Sequence, residues 1–171
     1  MRNEFKLKHF VRQDGGDDEL FYRLPRLVKH IDEPACEALS GYYARVLPVG
    51  GDILDLMSSY ASHLPAEPLF GHVVGLGMNE TELNENQQLS DRLIHNLNTN
   101  PTMPFTDRIF DACILAVSVQ YLTRPVEVFA DVARVLKPGA PFAISFSNRM
   151  FPTKAVAIWR GIGDADHARL L

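Results

Sequence analysis

Several things are scarce in this chain of 171 residues, and each scarcity narrows what the protein can be. It has two cysteines, Cys36 and Cys113, without metal-ligand spacing, so neither a disulfide scaffold nor a zinc module is expected. Cys113 lies in an apolar run and reads as a reduced core thiol. The six histidines show no HxxxH or HxH pattern with acids, so no metal site is expected. Positive charge is not in excess: the net charge is -4 and the pI about 5.8, which argues against nucleic acid as an electrostatic partner. No apolar run reaches membrane length and no signal-type segment opens the chain, so a soluble, cytoplasmic protein with no membrane partner is expected. The glycines nowhere form G-x-G-x-x-G, which disfavours a nicotinamide- or flavin-dependent oxidoreductase.

What remains is ordinary globular composition, 46% apolar and 22% charged, in a length that suits one domain. Residues 1–19 are charged, with Arg2, Lys6, Lys8 and Arg12, and read as a solvated or mobile arm. The rest, 20–171, reads as one domain, with N-terminal helices over 20–50 and a core over 51–160. From Glu19, Leu20, Leu24, Leu27, Val28 and Ile31 recur at helical steps around Pro25. Asp32 and Pro34 then start a second helix that ends by Pro48. After Gly50-Gly51 comes the pivotal stretch, ILDLMSS: a buried strand carrying Asp55 near its end, then small and polar residues, then a resumed helical stretch. Ala61 to Leu69, with two prolines, supports only a short helix. HVVGLGMN is a second strand, and Asn79 caps a helix reaching about Leu89. Leu93 and Ile94 mark a third strand, 96–107 a loop, and FDACILAVSV a fourth strand. Pro125 opens a helix stopped by Lys137-Pro138-Gly139, FAISF is a fifth strand, and a last helix starts near Pro152. Non-alternating buried strands separated by helices point to an α/β fold, a Rossmann-like parallel sheet flanked by helices.

These motifs carry a resemblance. ILDLMSS, VVGLGMNETEL, MPFTDRIFDACILAVSVQYL and PVEVFADVARVLKPGAPFAISFSN resemble, in order and spacing, the class I S-adenosylmethionine-dependent methyltransferases of the type 11 branch. The helix ending in RVLKPG before an apolar strand is the most specific of them. The resemblance implies S-adenosylmethionine as cofactor and methyl transfer to a small-molecule substrate. It places Asp55, Met57, Ser58 and Ser59 at the cofactor loop, Gly77, Met78 and Asn79 at the second strand's end, and Asn96, Leu97 and Val117 on the adenine side and fourth strand. Tyr22, Arg26, Tyr121 and Arg149, with Ser147 and Asn148 beside it, fall where the substrate would sit. Asp55 either reaches the cofactor's amino group or only caps the loop, and Tyr121 either meets substrate or packs under a loop.

The chain also departs from the family. Met57, Ser58, Ser59 and Ala61 stand where relatives have glycines, and the serine hydroxyls are expected to bond the cofactor's carboxylate. Gly77 replaces the acid that grips the ribose, with Asn79 or Glu80 as substitutes. Asn96 replaces the adenine-side acid. No residue declares itself a general base; His30 and His63 are the candidates, although lone histidines are more often structural or exposed. After Trp159 only Arg160 to Leu171 remain, without the two final strands of the family fold: either the native chain continues past Leu171, or the sheet edge is exposed and a second copy of the chain covers it. These departures also allow a second reading, a methyltransferase-fold protein that binds or scaffolds without catalysis.

Overall fold

The computed structural model describes residues 5–171, so Arg2 of the expected arm lies outside the described residues. Five short strands form one sheet: β1 (Ile53–Leu56), β2 (Val73–Gly77), β3 (Asp91–Ile94), β4 (Ala112–Ala116) and β5 (Phe142–Ser145). Every pairing is parallel, in the order β3-β2-β1-β4-β5. β1 is central, fully buried along its length, and in register with Val73–Leu76 on one side and Ala112–Leu115 on the other. Strand order reverses between β1 and β4. In open α/β sheets that switch point leaves a crevice beyond the strands' carboxyl ends.

The two faces of the sheet are read directly from residue parity. Leu54, Leu56, Cys113 and Leu115 point to one face and pack with Val128, Val132 and Val135 of α4 (Pro125–Val135). Ile53, Ala112 and Ile114 point to the other, against Tyr43 and Leu47, in and just after α2 (Glu33–Val46). α2 begins where Asp32 accepts the Ala35 amide at 3.0 Å, with Pro34 in the first turn. α3 (Glu80–Glu85) is capped by Asn79 and stops at Asn86, short of the expected Leu89. α5 (Ala157–Arg160) and α6 (Asp164–Leu170) close the α4 side through Trp159, which stacks on His167 at 3.9 Å. The last helix thus begins at Ala157 rather than near Pro152. No helix of the described residues is long and apolar enough to cross a membrane.

Three expectations need correction. The N-terminal helix is only α1 (Asp18–Tyr22). Beyond it Leu24, Leu27 and Val28 stay exposed, because Pro25 denies the helix a backbone donor and no core face lies beneath them. No helix follows β1 either: residues 57–72 are loop, held by side-chain hydrogen bonds and carrying Leu64 into the α2-side core. Third, residues 5–19 are not a free arm. Asp18 is buried and accepts from Arg12 at 2.8 Å, Lys154 at 3.1 Å and Asn98 at 2.9 Å. Lys154 is fully buried and also donates to the Gly16 carbonyl at 3.0 Å. Two cations and an amide on one carboxylate satisfy a charge that could not be buried alone.

The loop after β1 lies very close to the end of β2. A Cβ built on Gly77 would sit 2.2 Å from the Ser58 carbonyl oxygen, which is backbone and cannot step aside. Gly77→Ala is therefore expected to destabilise the protein by about 1–3 kcal/mol in urea unfolding. Gly163→Ala, at a glycine with open space and an ordinary backbone angle, should stay within about 0.5 kcal/mol. Equal losses at both positions would show that the loop does not rest on β2 as described.

Candidate functional site

The crevice at the switch point is a cavity of about 330 Å³, within the usual size for a small-molecule site. Its floor is the carboxyl ends of β1, β2, β4 and β5. Its roof is α1 and the segment after it, with Phe151 from the β5 side. Met57, Ser58, Ser59, Gly77, Met78, Asn79, Asn96, Leu97 and Val117 line it, as do Tyr22, Arg26, Tyr121, Ser147 and Arg149. Asn148 and Glu80 are exposed and off the lining, and His63 is buried elsewhere. Asp55, expected at the cofactor loop, does not line the cavity either.

Asp55 instead works beneath the loop. It lies on the α2 side of β1, 2% exposed, and its Oδ2 accepts from Ser58 at 2.6 Å and Ser62 at 2.5 Å. Asn86 donates to Ser62 Oγ and to the Ser59 carbonyl, each at 2.9 Å. Ser59 donates to Glu82 Oε2 at 2.7 Å, and the Arg26 amide donates to Glu82 Oε1 at 2.6 Å. Both serine hydroxyl protons are thus committed to protein carboxylates, so neither is a free donor for a ligand carboxylate. Asn79 is committed as well: its carbonyl caps α3 through Glu82, and its amide holds the Tyr22 and Arg23 carbonyls. Asn96 Oδ1 accepts the Asn98 amide at 3.0 Å in a local turn and keeps its second lone pair.

Two groups on the walls find no hydrogen-bond partner among the described residues: Tyr22 Oη and Arg26 Nη1, both buried. The Arg26 guanidinium is held in place by the Phe21 and Phe151 rings, at 4.8 and 5.0 Å from their centroids, and by Nη2 on the Phe21 carbonyl. Burial pushes the Tyr22 hydroxyl well above the ordinary phenol range, so it is a donor throughout the physiological window. The Phe151 amide donates to Tyr121 Oη at 2.9 Å. Tyr121 both lines the cavity and packs under the loop, so its two readings meet in one residue. His30 also faces the cavity, its pKa lowered chiefly by burial, so its ring is neutral at pH 7.

The backbone is strained at two neighbouring points of the floor. Met57, after β1, has φ 54° and Val117, after β4, has φ 44°. Glycine would meet neither cost, and for a β-branched valine the left-handed region is a real outlier. Such strain gathers at ligand sites when the surroundings over-determine it. Asp18, Glu82, Asn98, Met150 and Phe151 also line the cavity and were not singled out from sequence. Glu82 had a signal: it stands three residues past the Asn79 cap, on the turn that faces the loop after β1.

Asp55 gives a pH test. Burial raises its pKa from 3.8 to about 6, against the two serine donors that lower it. The folded state therefore holds this proton more tightly than the unfolded chain between about pH 4 and 6. The stabilisation is complete below about pH 4 and is lost as pH rises through 6, by about 3 kcal/mol. Asp55→Asn keeps an oxygen for both serines and has no such limb. Its urea midpoint relative to the unaltered protein should rise steadily from pH 4 to 7; parallel curves would refute the assignment.

The geometry agrees with what the sequence matches. Residues 56–144, just over half of the chain, match the family model described as a methyltransferase domain. The biotin biosynthesis bifunctional protein BioHC of Teredinibacter turnerae is 28% identical over 103 residues, covering 57% of this chain and 18% of that protein. The sterol methyltransferase-like 2 protein of Botryococcus braunii is 30% identical over 122 residues, covering 63% and 30%. The chain thus spans less than a third of either relative's length. Among solved structures, geranyl diphosphate C-methyltransferase of Streptomyces coelicolor, holding S-adenosyl-L-homocysteine, has the same fold at a TM-score of 0.51 and 16% identity, covering 66% of this chain and 45% of that one.

Proposed function

Since the chain belongs to the methyltransferase-domain family, we propose that it binds S-adenosylmethionine in the switch-point cavity and transfers its methyl group to a small molecule. The observation that carries this reading is the cradle itself: a loop resting on Gly77, strained floor residues Met57 and Val117, and buried unpartnered donors on Tyr22 and Arg26, two residues that line the same cavity. The residues present fit the cofactor. Apolar lining at Met78, Leu97 and Leu122 suits a purine, and the Asn96 carbonyl has a lone pair for an exocyclic amine. The free Tyr22 and Arg26 donors suit a carboxylate.

When bound, the cofactor supplies a methyl group already activated by its sulfonium. What the protein must then do is align an acceptor and exclude water. The roof formed by α1, Arg26 and Phe151 serves both ends, enclosing the cavity opposite the strand termini. Tyr121, Met150 and Phe151 offer an apolar face to the acceptor, and Arg149, exposed at the rim, favours an acceptor with negative charge. A small acceptor is favoured by the cavity's size and by the absence of a net positive charge on the chain.

Isothermal titration with S-adenosylmethionine and with S-adenosylhomocysteine tests the proposal. Binding at micromolar concentrations, weakened about tenfold or more by Arg26→Leu, is expected. No heat with either ligand would overturn it.

A further inference from the structure

The second strand of this sheet ends in a residue that cannot carry a side chain, and Gly77 therefore offers a ligand nothing but backbone. The carboxylate on that wall comes from the next helix. Resting on the cofactor reading above, we infer that Glu82, fixed between Ser59 and the Arg26 amide, accepts the hydrogen bonds of the ribose hydroxyls of the adenosyl group.

The other acids near the cavity are spent. Asp18 is neutralised by Arg12 and Lys154, and Asp55 lies beneath the loop. Glu82 differs in kind. It is buried and lines the cavity, and its donors are one hydroxyl and one backbone amide, neither a cationic side chain. Each oxygen accepts one bond and has a second lone pair to give. A buried carboxylate with two neutral donors is poorly solvated and gains from further O–H donors. A vicinal diol provides two, spaced for the two oxygens. The side chain is also unable to swing away, because its partners lie on separate walls: Ser59 on the loop after β1, Arg26 on the roof. Glu82 is in this sense a binding residue and a brace between two walls.

The test is a double comparison by isothermal titration. S-adenosylhomocysteine and its 2′,3′-dideoxy analogue are measured on the unaltered protein and on Glu82→Gln, with Glu82→Asp as a second variant and thermal unfolding to confirm that each folds. On the unaltered protein the dideoxy analogue should bind about 10- to 100-fold more weakly. In Glu82→Gln, S-adenosylhomocysteine should weaken by a similar factor and the gap between the two ligands should shrink to about threefold or less. A gap that persists undiminished overturns the inference, including the case where both ligands weaken equally, which would place Glu82 at the amino-acid end or in a bracing role alone. If the substituted chains do not fold, equal affinity of the two ligands for the unaltered protein would overturn it by itself. Failure of the unaltered protein to bind S-adenosylhomocysteine at all would instead sink the cofactor reading.

Discussion

The approach of the Ser58 carbonyl to Gly77 is the contact on which the site depends. It forces β2 to end without a side chain, and it lays the loop after β1 across the floor of the crevice. Relatives with glycine in that loop obtain a close backbone approach from the glycines themselves. Here the loop carries Met57, Ser58 and Ser59, and its shape is imposed from outside. Asp55 holds two hydroxyls from below, Asn86 holds a carbonyl and a hydroxyl from the side, and Glu82 holds Ser59 from above. Met57 stays in the left-handed region because the surrounding bonds leave it no other conformation. A glycine loop and a cross-braced serine loop are two solutions to one steric problem.

That substitution explains why the loop's small residues are not ligand donors even though they line the cavity. A hydroxyl proton can be given once. Ser58 and Ser59 give theirs to Asp55 and Glu82, and the unpartnered donors among the lining residues lie on the roof, at Tyr22 and Arg26. The site is therefore assembled from more elements than its short motifs suggest, and its polar lining includes Tyr22, Arg26, Glu82 and Asn96 beside the loop itself.

Most of the sheet was legible because its strands are short apolar runs with turn residues between them. β1, β2, β4 and β5 fall inside the expected runs, and α2 and α4 announce themselves through Asp32, Pro34 and Pro125. The 20–31 stretch misled because its helical spacing of leucines is real but meets no core; periodicity reports a face, not a partner for it. Of the two readings of Asp55, its bonds to Ser58 and Ser62 match the loop cap. Strand parity places it on the α2 side, and the parity was readable, but the loop that buries it was expected to be helix. Glu82 was legible only as a first-turn residue of α3, and Asp18 only as a neighbour of Arg12; their contacts with Ser59 and Lys154, 23 and 136 residues away in sequence, are encoded by no local pattern.

The buried Asp18–Lys154 pair ties the roof to a segment 136 residues further along the chain. During synthesis at about 5–20 residues per second, that interval lasts roughly 7–27 s. Throughout it the sheet can begin to pair while Asp18 has Arg12 but not yet the lysine that shares its buried site. The segment that roofs the crevice thus gains its last buried partner only after Lys154 emerges. Completion of the roof is in this way tied to the chain beyond β5: a nascent chain carrying the whole of β1 to β5 still lacks the lysine that anchors α1.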